Sequence, residues 1–134
     1  SDTVDIVEYV EETIEPQLKA WNLSWSDVIF TGFSQGGATA LVLALYEMDI
    51  KGAVSYAGLF VPPPDEPLQY APPLCLVHGD RDEIVPFSFF EESKKHLSNL
   101  NIPFEGWVAE NLGHSINSFG LQKGAHFINK LVVS

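Results

Sequence analysis

The stretch that most constrains this chain is Val28-Ile29-Phe30-Thr31-Gly32-Phe33-Ser34-Gln35-Gly36-Gly37-Ala38. A short, partly β-branched apolar run meets Gly-x-Ser-x-Gly, and the apolar run Ala40-Leu41-Val42-Leu43-Ala44-Leu45 follows. This reads as strand, sharp turn and helix with Ser34 at the apex, the pattern of a nucleophile elbow. In such a turn the serine backbone is strained. Side chains two positions to either side would collide with the turn, so Gly32 and Gly36 are expected to be required there. The helix after the serine turns its free N–H groups toward the apex, which makes the Gln35 N–H a candidate oxyanion donor. That helix, expected over residues 35–48, is apolar nearly all round and so belongs in the middle of a domain.

The remaining chain alternates in the same way. Val4, Val7, Val10, Ile14, Leu18 and Trp21 nearly complete a helical stripe, broken at Glu11. Ser1 or Asp2 can cap that helix, and Pro16 is expected to kink or interrupt it. Residues 22–27 form a turn-rich connection into the elbow strand. Residues 51–57 read as a second strand. A stiff excursion follows at Pro62-Pro63-Pro64-Asp65-Glu66-Pro67. Leu74-Cys75-Leu76-Val77-His78-Gly79 is a third strand, continuously apolar as in a buried parallel sheet. A helix over 87–100, a fourth strand over 103–108 and a last helix over 116–132 complete the series. In the last helix Ile116, Phe119, Phe127, Ile128 and Leu131 are expected to face inward. The fold class is therefore α/β: one domain over residues 1–134, a parallel sheet of about four strands with flanking helices and right-handed crossovers.

Charge narrows the partners. The formal net charge is −11, which repels nucleic acid and anionic membrane surfaces. No run approaches 18 apolar residues, so no membrane span is expected, and a cytoplasmic location is the expectation. Cys75 is the single cysteine and falls in an apolar run, so it reads as a buried structural thiol with no disulfide. His78, His96, His114 and His126 are scattered without ligand spacing, so neither metal nor cofactor is expected.

In an open α/β sheet the chemistry gathers at the carboxyl ends of the strands. Ser34 follows the first strand, Asp80-Arg81-Asp82-Glu83 the third, and Gly113-His114-Ser115 the fourth. Serine, acid, histidine is the chain order of one known solution to activating a serine hydroxyl. A hydroxyl is a poor nucleophile near neutral pH and needs a base. His114 is the candidate, held in the right tautomer by a carboxylate on its other nitrogen. On residue type alone Asp80 and Asp82 compete for that carboxylate, with Glu83 a weaker third.

Gly-Phe-Ser-Gln-Gly-Gly at 32–37, His-Gly-Asp-Arg-Asp-Glu-Ile-Val-Pro at 78–86 and Gly-His-Ser at 113–115 together resemble the carboxylesterase/phospholipase family of α/β-hydrolases, which includes the acyl-protein thioesterases. The family's acid-loop pattern, His-Gly, two residues, Asp, two residues, Val-Pro, implies Asp82 as the acid. It implies a turn role for Asp80, its carboxylate bonding local backbone, and a structural role for His78. Residues 55–62 resemble, more loosely, a family stretch near the substrate pocket. The resemblance implies the C-terminal part of an α/β-hydrolase fold. It implies a serine carboxylesterase or thioesterase acting on small esters or thioesters through an acyl-enzyme. Leu59, Phe60, Ile84 and Phe87, with Ile116, are candidates for the acyl site.

Family members are longer, with several strands before the helix that opens this chain and a second oxyanion donor on one of the loops between them. One edge of the sheet, beside the elbow strand, is therefore expected to lack partners, an aggregation hazard. The chain would then be a piece of a longer enzyme, or be completed by another chain, or close its edge by dimerising. An oxyanion site reduced to Gln35 N–H would lose roughly 10²–10³ in rate. The competing expectations are a peptidase of the same fold and a catalytically silent module kept for binding or assembly.

Overall fold

The computed structural model describes residues 2–133, with side chains described from residue 5. The elements run α1 (Asp2–Ala20), β1 (Ile29–Phe33), α2 (Gln35–Val42), β2 (Gly52–Tyr56), β3 (Leu74–Gly79), α3 (Phe87–Asn99), β4 (Glu105–Ala109) and α4 (Ser118–Val133). The four strands form one parallel sheet in the order β1-β2-β3-β4. Two antiparallel strands can be joined by a tight hairpin, but parallel neighbours need a long return. Here α2 fills the return from β1 to β2 and α3 that from β3 to β4. Between β2 and β3 the return is the proline-rich loop, stitched down where Gln69 and Tyr70 N–H both donate to the Leu45 carbonyl at 3.0 Å.

Strand alternation divides the core between the two faces of the sheet. Ala53, Leu74 and Leu76 point to one side, where they meet Leu41, Ala44 and Leu45 from the α2 segment and Phe90 and Leu97 from α3. Val7 and Val10 of α1 pack against that same cluster. Val54, Tyr56, Cys75 and Val77 point to the other side, under Phe127, Ile128 and Leu131 of α4. Covered on both faces, β2 and β3 are buried along their whole length. Burial, with Glu105 nearby, pushes the Cys75 thiol up to about 12, so this cysteine is an inert core residue. β1 differs. It pairs only with β2 among the described residues, and Thr31 and Phe33 keep exposed surface.

Several local expectations change. The helix expected over 35–48 leaves α geometry at Val42 and finishes as a π turn over Leu43–Glu47, closed by Met48 N–H donating to the Leu43 carbonyl at 2.8 Å. α1 runs on through Pro16 without interruption. Trp21 is exposed because the helix ends at Ala20 in a Schellman turn. There Asn22 takes φ 57° and the N–H groups of Asn22 and Leu23 return to Lys19 and Leu18. The same device, with Asn101 at φ 58°, ends α3 and places Ile102 in the core. The expected cap at Ser1 or Asp2 and the Val4 contact lie outside the described side chains. α4 begins at Ser118, so Ile116 packs from the preceding loop. Phe119 faces outward, where the Lys123 ammonium lies 5.4 Å from its ring. No described helix is long and apolar enough to cross a membrane.

Candidate active site

Ser34 sits between the last residue of β1 and the first of α2, at φ 58° and ψ −121°. An L-residue reaches that conformation only under constraint. Two bonds supply it: Ser34 N–H donates to the Tyr56 carbonyl at 2.7 Å, and Ala38 N–H donates to the Ser34 carbonyl at 3.1 Å. Gly32 is required as expected, because a methyl there would overlap the Gly36 carbonyl. The second glycine is a correction. A methyl on Gly36 would meet nothing within 4 Å, and no described glycine has a positive φ. Gly37 carries the close approach instead, since a methyl there would lie 2.5 Å from Ser55 Oγ and 3.0 Å from the Gly32 carbonyl oxygen. Gln35 opens α2, so its N–H is one of the first-turn groups that the helix itself cannot satisfy.

Asp82 is buried in the turn after β3. Its Oδ1 accepts the N–H groups of Ile84 at 2.9 Å and Val85 at 2.8 Å, and its Oδ2 accepts His114 Nδ1–H at 2.7 Å. Burial pushes this carboxyl up. The bond from His114 opposes it, as do the two backbone bonds and the His114 charge, and together they hold it below the usual aspartate value. An ionised carboxylate only accepts, so His114 donates through Nδ1 and presents a lone pair at Nε2. Ser34 Oγ lies 3.0 Å from that lone pair. The Phe33 ring packs on the imidazole, centroids 4.7 Å apart and tilted by 42°. Residues 80 positions apart in the chain are thus joined Ser34–His114–Asp82 by two hydrogen bonds. A lone pair facing a hydroxyl, with a fixed carboxylate behind it, is an arrangement able to remove the hydroxyl proton and to stabilise the resulting imidazolium.

The competing acids lie elsewhere. Glu83 is exposed. Asp80 Oδ1 accepts Asn111 N–H at 2.8 Å, so its partner is not local backbone but the loop that carries His114. Asp80 and Arg81 N–H donate to the Ala109 and Leu112 carbonyls at 3.2 and 2.9 Å, completing the seam between the two loops. The expected acyl-site residues separate. Phe60 is fully buried, with its N–H on Ser93 Oγ at 2.9 Å, so it belongs to the core and not to a substrate surface. Phe87 packs against that core and edge-on to His78, and Ile116 packs under α4. Leu59 is half-buried and Ile84 is 72% exposed. An apolar groove lined by Ile6, Gln35, Ala38, Thr39, Val42 and Leu43 opens beside the start of α2. The sequence reading missed Phe33, Asn111 and the role of Gly37. Only Phe33 carried a signal, its position directly before the serine. Among the described residues no group of three His, Cys, Asp or Glu is placed to hold a metal ion.

The model of the phospholipase/carboxylesterase family matches residues 1–132. Acyl-protein thioesterase 1 of Aspergillus fumigatus is 27% identical over 134 aligned residues, covering 92% of this chain and 53% of that protein. Acyl-protein thioesterase 1 homolog 2 of Dictyostelium discoideum is 30% identical, covering 90% and 57%. Among solved structures, esterase PE8 superposes with a TM-score of 0.83 at 27% identity, covering 96% of this chain and 61% of that one. The Bacillus cereus carboxylesterase does so at 0.79 and 24%, a likeness of fold. The chain spans about half the length of the curated relatives it matches.

Proposed function

From the premise that the chain belongs to the phospholipase/carboxylesterase family, we propose that it is a serine hydrolase that cleaves small carboxylic esters or thioesters through an acyl-enzyme. Ser34 Oγ attacks the carbonyl carbon while His114 Nε2 takes its proton, and Asp82 holds the imidazole and stabilises its charge. The oxyanion rests on Gln35 N–H at the start of α2, together with a second donor. The alcohol or thiol leaves with the proton from His114. Water activated by His114 then attacks the acyl carbon and releases Ser34. Of the acyl-site candidates, Leu59 and Ile84 are the ones that stay accessible to the acyl group. The observation that carries this reading is the hydrogen-bonded line from Ser34 through His114 to Asp82, at 3.0 and 2.7 Å. The edge of β1 that no strand pairs among the described residues is where this reading places a further strand, from a second copy or from another polypeptide segment. An open edge left otherwise invites aggregation.

Hydrolysis of short-chain p-nitrophenyl esters and of an acyl thioester tests the proposal. Wild-type protein turns over both. Ser34→Ala and His114→Ala each lose about 10⁴-fold or more in kcat. Ser34→Ala unfolds at the wild-type temperature, and His114→Ala stays folded but unfolds somewhat below it, because buried Asp82 loses a bond. The open edge beside the nucleophile also favours a second reading, a catalytically silent module kept for assembly. Under that reading no ester is cleaved faster by wild type than by Ser34→Ala.

A further inference from the structure

His78 is the penultimate residue of β3, and its ring is 1% exposed. Its Nε2 lies 2.8 Å from the Val85 carbonyl oxygen and 3.5 Å from Asp82 Oδ2. Both neighbours accept, so Nε2 carries the proton and donates it to Val85. The rings of Phe87 and Phe90 stand 6.1 and 5.7 Å away and fix the imidazole plane. An imidazole buried among phenylalanines is a costly filler compared with an apolar side chain of similar size. What it supplies that such a side chain cannot is the bond to Val85. Val85 is also the residue whose N–H donates to Asp82 Oδ1. One residue is thus gripped on both sides, by His78 at its carbonyl and by Asp82 at its N–H.

We propose that His78 is a positioning residue for Asp82. By holding the Val85 carbonyl it keeps the Ile84 and Val85 N–H groups on Oδ1, which leaves Oδ2 aimed at His114 Nδ1. His78 touches no reacting atom and acts through the four-residue turn 82–85. The inference rests on the proposed esterase reading for its effect on rate, but its geometric half stands apart from turnover.

The test reads the His114–Asp82 bond directly. A proton held between an imidazole nitrogen and a carboxylate resonates far downfield of backbone amides, because the bond is short and charge-assisted. Wild type is expected to show such a resonance, lost in Asp82→Asn. His78→Gln, whose side-chain amide reaches the position of Nε2, keeps it. His78→Asn, one carbon shorter, and His78→Leu lose it or broaden it. Should His78→Leu not fold, the Gln and Asn variants decide between them. Ser93→Ala, which breaks the Ser93–Phe60 tie in the same core, keeps the resonance and controls for general loosening. In hydrolysis, His78→Asn lowers kcat about tenfold or more at unchanged KM, while His78→Gln stays within about threefold of wild type. A resonance unchanged in His78→Asn, or lost equally in His78→Gln, overturns the proposal. So does a folded wild type with no resonance that depends on Asp82. A wild type that shows the resonance and its His78 dependence but hydrolyses nothing refutes the esterase reading alone.

Discussion

The histidine–acid side of the site and the serine side are built to different standards. Asp82 is buried and bonded three times, and its turn is gripped by His78. The loop carrying His114 is sewn to it through Asp80, Arg81 and Asn111. All of this hangs from the ends of β3 and β4, and β3 is covered on both faces. Ser34, by contrast, hangs from β1, which is paired on one side only among the described residues and exposed at Thr31 and Phe33. Its constraints are two backbone bonds and the absence of side chains at Gly32 and Gly37. The acid–imidazole pair is held by several bonds that back one another up. A strained turn is held by shape, and shape fails abruptly when an atom is added.

That difference can be broken or sharpened by substitution. The largest effect belongs to the acid–imidazole pair: Asp82→Asn should lower kcat/KM by about 10⁴-fold, because the imidazole loses its tautomer and the carboxylate that stabilises the imidazolium formed in the reaction. Stopped-flow or steady-state ester hydrolysis reads it. Next is the turn, where Gly32→Ala should cost about 3 kcal/mol in urea unfolding, from overlap with the Gly36 carbonyl.

Acid comes third. Asp82 is held below its unfolded value, so as pH falls the unfolded chain takes up this proton first. The stability Asp82 contributes is fully present above its unfolded pKa near 3.9 and is lost as pH drops through the lower folded pKa. Urea midpoints measured between pH 6 and pH 3 should therefore fall less steeply in Asp82→Asn than in wild type. Asp80→Ala should cost about 1 kcal/mol by freeing the Asn111 N–H, while Asp80→Asn, which keeps an acceptor oxygen, should cost little. The smallest effect is expected at Gly36. Alanine there meets open space inside a helix and should be neutral or stabilising by up to about 1 kcal/mol. A large loss at Gly36 would show that its surroundings differ from those described.

The order of elements was legible because β1, β2 and β3 are short, largely apolar runs, β4 alternates, and the helices are either periodic or, like α2, apolar nearly all round. The ends of β1, β3 and β4 were legible for the same reason, and with them the residues placed to meet. Legibility stopped where the answer depends on what covers a surface. Trp21 and Phe119 fit helical stripes, yet one lies past the last helical residue and the other on the side of α4 that faces outward. Phe60 follows a strand end as a pocket residue would, but the Ser93 hydroxyl draws its backbone into the core. The elbow glycines show the limit most clearly. The spacing singles out Gly36, whereas the crowding is at Gly37, because Ser55 of the neighbouring strand sits there and no spacing within one segment reports a neighbour.

The most direct test of the central claim, that Ser34 is an activated nucleophile, is intact-mass spectrometry after exposure to a fluorophosphonate. Such a reagent captures a serine only where a base and an oxyanion site are assembled around it. One adduct per chain is expected, mapped to Ser34 by peptide sequencing and absent from His114→Ala. A folded protein that stays unlabelled, or that is labelled equally in Ser34→Ala, would contradict the claim.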